Sequence, residues 1–247
     1  ELATSLVSTA GESALPFARR GGLAIGVLAA LFCVISPAML LFGNLLLSHH
    51  PTMLGLAAFA LCYMRALRSE SLVWPICGGV ALCLAMLCRP LTAFGFASPF
   101  GLHLAWLVLR GELPRCTPRL LSALVPLIAG VGLLAGYNAA LTGNPLQSPY
   151  GLYTQIYTPN HCYGFHNVTR GEQQAGPKVL ANYNQWAEDL TVPRAVELLA
   201  GRISASSLWS VGRVSLAWVA GVCLVVLWRF PVQWKLLAGA VAGLHAV

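Results

Sequence analysis

The chain has 247 residues, 57% of them hydrophobic and only 9% charged, with a mean hydropathy of +0.70. A soluble domain carries about 25% charged residues, so this composition excludes an ordinary water-facing globule and makes lipid the solvent for most of the surface. The formal net charge of +7 does not point to nucleic acid, because residues 142–206 balance Arg170, Lys178, Arg194 and Arg202 against Glu172, Glu188, Asp189 and Glu197.

Residues 1–18 are mixed in character. Arg19-Arg20 precede an uncharged run, 21–47, that is too long for one straight span and is interrupted by Ser36-Pro37. Proline removes a helix hydrogen bond, so a span of about 17 residues followed by a bent or re-entrant piece is expected, closing at Ser48-His49-His50. Pro51 opens a second helix to about Ala66, and Arg65, Arg68 and Glu70 follow it. A third run covers 72–88, Arg89-Pro90 makes a tight reversal, and a fourth run covers 91–109. The loop RGELPRCTPR (110–119) leads into a fifth run, 120–141. After a long polar segment comes a sixth, 208–228, with Trp209 and Trp228 as interfacial anchors. Arg229 and Lys235 then precede a last apolar run, 236–247, shorter than the roughly 20 residues a span needs. With no initiator Met and no signal peptide, the chain reads as an internal piece of a larger membrane protein.

Threaded alternately, one side of the membrane receives Arg19, Arg20, Arg65, Arg68, Arg110, Arg115, Arg119, Arg229 and Lys235. The other receives His49, His50, the Arg89 turn and the long neutral loop. Basic connections face the cytoplasm, so the loop is expected outside. The expected fold is all-α and integral to the membrane, with six to seven transmembrane helices and one large outer, periplasmic loop containing short amphipathic helices. Residues 1–141 form the N-terminal part of the bundle, 142–206 the outer loop and 207–247 the C-terminal helices. Six of the eight cysteines (Cys33, Cys62, Cys77, Cys83, Cys88, Cys223) fall in apolar runs and none makes a CxxC pair, so they read as small packing residues.

Within the loop, Pro177 leads into KVLANYNQWAEDL, whose Val179, Leu180, Tyr183, Trp186, Ala187 and Leu190 share one helical face. Such a helix suits either the headgroup level or packing on the spans beneath. Thr191 caps a second short helix through Leu199, with Gly201 as its stop.

The candidate site residues are polar groups at the outer edge. Arg89 stands among apolar neighbours where no orientation signal requires it; a guanidinium there makes forked bonds to phosphate or snorkels to bulk headgroups. His49 and His50 offer acid–base, metal or hydrogen-bonding chemistry, or serve only structurally. Tyr150, Tyr153 and Tyr157 share a face if helical and present flat apolar rings with hydroxyls, suited to sugars or to the interface. His161, Cys162 and His166 have no recognised metal-ligand spacing and no acid nearby in the outer connections. No metal site is therefore assigned, and a divalent metal remains an open option as cofactor. Arg213, one turn into the sixth span, is a second phosphate contact or a snorkelling cation. Asn167-Val168-Thr169 has the form of a glycosylation sequon.

The segments SPAMLLFGNLLLSHHPT, GGVALCLAMLCRPLTAFGFASPF and YNAALTGNPLQSPYGLYTQIYTPNHCYGFHNVTRGEQQAGPKVLANYNQWAEDL resemble polytopic glycosyltransferases of the GT-C fold. The similarity is to the bacterial protein-mannosyltransferase-like and aminoarabinose-transferase-like group, over about residues 19–228. It implies an inverting transferase of the bacterial cytoplasmic (inner) membrane, moving a sugar from a polyprenyl phosphate to an acceptor protein, lipid or glycan on the outer face. It also implies a carboxylate in the first outer loop as base, which would lie upstream of residue 1; the catalytic group is thus unknown. Arg89 takes the place of the family's cation facing the lipid phosphate. Arg89, His49, His50, Tyr150, Tyr153, His161, His166 and Arg213 are the expected substrate-binding set, with no role for nucleic acid. The competing classes are a transporter or flippase for a polar or lipid-linked substrate, and a non-catalytic membrane scaffold. Against the transporter, the ionisable residues stand at span ends and not mid-membrane.

Overall fold

The computed structural model describes residues 48–161, 164–166, 168, 183–211 and 231–246, with helical positions also at 24, 26–28, 30 and 31. Most of the first expected span and most of the sixth lie outside the described residues, as do Pro177 with its expected helix start and Asn167 and Thr169 of the sequon. Among the described residues every regular element is helical and no strand occurs. The chain divides into two compact units, residues 1–130 with 219–247, and residues 131–218.

Helix α1 (His49–Ala66) starts two residues before Pro51, with Ser48 at its N-cap. This corrects the reading of His49-His50 as the close of a bent segment. A proline in the first turn lacks only an N–H that has no intrahelical partner, so the helix can begin upstream of it. The hydroxyl of Thr52 donates to the Ser48 carbonyl at 2.6 Å, which ties down that turn.

Helix α2 (Val73–Cys88) ends where Pro90 disfavours helical backbone in the residue before it. Arg89 accordingly takes φ −149°, ψ 86°, and Pro90 becomes the first residue of α3 (Pro90–Leu107). The connection after α3 is shorter than the ten-residue loop read from the sequence. The chain kinks through Val108–Glu112, Gly111 adopts φ +86°, and α4 (Leu113–Thr142) begins at once. Glycine reaches that left-handed region without steric cost and stops the helix, and Pro114 is tolerated in the first turn that follows.

The first unit packs α1, α2, α3, the α4 residues up to 130 and α7 (Val232–Ala246) through small residues. A Cβ on Gly79 of α2 would strike the Ala123 carbonyl oxygen and lie 2.6 Å from the Pro126 ring of α4, and one on Gly243 of α7 would strike the Gly95 carbonyl of α3. Close backbone approach at small residues is how helices associate where lipid supplies no hydrophobic drive between them. The buried core is correspondingly small: Ala60, Met64, Phe100, Leu236 and Ala240 form one cluster, and Leu56, Ala85 and Ala93 a second.

Most apolar bulk points outward. Pro90–Gly111 and Thr117–Thr142 are long and apolar enough to cross a membrane, yet only 17% and 6% of their apolar windows are buried. The core helix of a water-soluble protein would be mostly buried. Leu102, Val125, Ile128 and Leu133 are among the large apolar side chains left facing out, an arrangement that favours contact with lipid or another apolar surface.

In the second unit α4 ends at Gly143, whose φ is +76° and whose N–H bonds the Ala139 carbonyl at 2.9 Å. Helix α5 (Pro149–Tyr157) starts at Ser148, whose Oγ accepts from the Gly151 N–H at 3.0 Å. Helix α6 (Val192–Val211) follows Thr191, whose Oγ1 accepts from the Arg194 N–H at 3.4 Å. Gly201 does not stop it, contrary to the sequence reading. The residue keeps a negative φ and lies inside the helix, where a glycine weakens it by about 1 kcal/mol without ending it. The amphipathic helix expected through Leu190 is also shorter: 183–185 are helical and 187–190 are not.

Candidate functional site

The expected site residues fall into two groups, one in each compact unit. In the first, Arg89 and His49 are brought together from the end of α2 and the start of α1. The Arg89 Nη1 donates to His49 Nδ1 in a short hydrogen bond and lies 3.4 Å from Nε2. His50 stands beside them, half-buried, at the same helix start. Pro90 forces Arg89 out of the helix, so its side chain leaves the α2–α3 reversal and reaches the α1 N-terminus.

The electrostatics of this group are one-sided. Two helix N-termini, those of α1 and α3, lie beside the guanidinium, and each adds partial positive charge. Among the described residues no carboxylate pairs with Arg89. Burial first, then the neighbouring Arg89 charge and then His50, hold the His49 pKa below the ordinary imidazole value. A neutral His49 is what the geometry needs, because Nδ1 accepts a guanidinium hydrogen only while it keeps its lone pair. The result is a fixed cation held by a neutral partner, a suitable seat for a phosphate or other anion.

The second group is built by α5 and the segment after it. Tyr150 and Tyr153 stand exposed on α5, and the Tyr153 and Tyr157 rings lie 4.8 Å apart. Residues 159–161 and 164–166 are clamped onto 183–190. His161 stacks on the Tyr183 ring at 3.9 Å and its Nε2 donates to the Tyr183 carbonyl at 2.7 Å. Asn184, buried, accepts from the Asn160 N–H at 3.0 Å through Oδ1. The His166 N–H donates to the Leu190 carbonyl at 3.1 Å, and its Nδ1 is 3.0 Å from Asp189 Oδ2. These cross-contacts, with Arg194 bonded to both Glu188 and Glu197, hold 187–190 out of the helical path by giving its polar groups partners elsewhere.

Asp189 and Tyr183 were therefore missed as site residues. The sequence places Asp189 twenty-three positions from His166, and the absence of an acid near the loop histidines held only for chain neighbours. The Asp189 carboxylate orients the imidazole, and His166 is held there in the left-handed region at φ 54°, uncommon for a side-chain-bearing residue. No group of three metal-ligating side chains occurs among the described residues. Cys162 and Arg213 lie outside them. Comparison with known proteins finds no matching family model, no matching curated protein and no matching solved structure.

Proposed function

We propose that the chain is part of a multi-pass glycosyltransferase of a bacterial inner membrane, taking a sugar from a polyprenyl phosphate and passing it to an acceptor protein, lipid or glycan on the outer face. In this reading the helices are part of a set of six to seven spans and residues 142–206 form the outer loop. The observation that supports it best is the Arg89–His49 pair: a guanidinium with no carboxylate partner among the described residues, set beside two helix N-termini at the end of a lipid-exposed bundle.

Such a site matches what the reaction demands. The donor's tail stays in lipid while its phosphate meets a cation at the membrane edge. Breaking the sugar–phosphate bond builds negative charge on the leaving phosphate, and a pre-placed guanidinium stabilises that change more than it stabilises the intact donor. Within the second unit, taken by itself, the exposed Tyr150 and Tyr153 present ring faces and hydroxyls suited to a sugar or acceptor. The segment resemblance described above points the same way.

The test is Arg89→Ala in membranes carrying the full protein, assayed for transfer from a labelled polyprenyl-phosphate sugar. Transfer should drop at least about 100-fold while membrane insertion is unchanged. Wild-type transfer rates in that variant would remove Arg89 from the site.

A further inference from the structure

At the end of the first unit remote from Arg89 lies a cavity of about 420 Å³. On helix α1 its lining begins at Phe59, ten residues beyond His49, about 15 Å of rise. The cavity falls in the size range of small-molecule sites, and its walls are nearly all carbon, including Phe59, Leu82, Leu104, Leu120 and Leu127.

The polar groups concentrate at one side of it. The Tyr63 hydroxyl lies 2.8 Å from His103 Nδ1 and 3.2 Å from the Phe100 carbonyl oxygen. Trp74 and Trp106 line the cavity, and each carries a guanidinium over its ring, Arg65 at 4.6 Å and Arg110 at 4.0 Å. Arg119 lines it directly, with Nη2 bonded to the Ser69 carbonyl at 2.9 Å and to Glu70 at 3.1 Å. Arg119 thus meets a single carboxylate among the described side chains, and that carboxylate is 78% exposed. Both described Arg119 bonds use Nη2, whereas a guanidinium offers five N–H donors.

Carbon walls select an apolar chain, and the cationic rim selects a negative head. A nucleotide would find no partners along the walls, and a neutral lipid would have no use for the rim. We propose that this cavity binds an acyl chain of an anionic phospholipid, with the headgroup phosphate held by Arg119 beside Arg65 and Arg110. The proposal rests on the lipid-exposed helices and is independent of the transferase reading.

The experiment uses the full chain in detergent, equimolar dioleoyl phosphatidylglycerol and dioleoyl phosphatidylcholine, and native mass spectrometry of the retained lipid. Wild type should keep phosphatidylglycerol over phosphatidylcholine by about tenfold, the scale of one charge-assisted hydrogen bond. Arg119→Gln should abolish that preference, and Leu104→Trp, which fills the cavity, should lower retention of both lipids. Leu120→Trp serves as a second filler, and helical circular dichroism identifies the folded variants. The readout is lipid retention and not sugar transfer, so the outcome is separable from the transferase test. Equal retention of the two lipids by wild type would overturn the proposal, as would unchanged retention in a folded cavity-filling variant. Displacement by glycerol phosphate alone would also overturn it, since the chain would then be irrelevant, and displacement by equimolar decaprenyl phosphate would assign the cavity to the donor lipid instead.

Discussion

The two ends of the first unit treat positive charge differently. At the Arg65–Arg119 end three guanidiniums rest on protein partners: Arg65 and Arg110 on tryptophan faces, and Arg119 on Glu70 and a backbone carbonyl. At the other end Arg89 meets a neutral histidine and two helix N-termini. A cation–π contact, or an ion pair to an exposed carboxylate, reduces the demand for an outside anion without satisfying every N–H donor. A guanidinium whose surroundings add to its positive potential raises that demand. Count and position of basic residues therefore give orientation, whereas the partners of each cation decide which one is available for chemistry.

The sharpest way to break this contrast is to exchange the ends. Arg89→Ala should lower sugar transfer by about 100-fold or more, whereas Arg65→Ala should leave transfer within about twofold. Equal losses in the two would mean that net charge, not local partnership, supports activity. Next in size is Tyr63→Phe, which deletes the hydroxyl between His103 and the Phe100 carbonyl. It should lower stability in detergent by about 1 kcal/mol, read by thermal unfolding, with transfer retained.

Acid should act on the Arg89 end through His49. Its folded pKa lies below the ordinary 6.5, so the unfolded chain binds the proton more readily and stability rises with pH across that window. The contribution is complete above about 6.5 and is lost as pH falls through the lowered folded value. Thermal unfolding of wild type and His49→Gln between about pH 7.5 and 5 checks this. The variant should be less acid-sensitive, and identical profiles would exclude His49 as the responsive group. The smallest effect belongs to Glu70→Gln. Its partner Arg119 is largely buried but Glu70 is 78% exposed, so removing the pair should cost no more than about 1 kcal/mol, measurable in the same unfolding assay.

The sequence by itself determined the helical, strongly apolar character of the described residues and several helix ends. Hydropathy is a sum over side chains and needs no tertiary information, and Pro90, Gly143 and Ser148 act through local backbone sterics and capping. Local rules failed where long-range contacts compete with them. Gly201 permits a stop but does not impose one, and the helix pattern through Leu190 gives way because Asp189 and Leu190 bond His166 across the loop. Only the tertiary structure decided which polar residues meet. His49 and Arg89 are forty positions apart, as are Tyr63 and His103, and hydrophobic periodicity says which face of a helix is apolar but not which neighbour it finds. The pairings follow from close contacts such as Gly79 against Ala123 and Gly243 against Gly95, where backbone shape fixes which helices touch and so which side chains share a site.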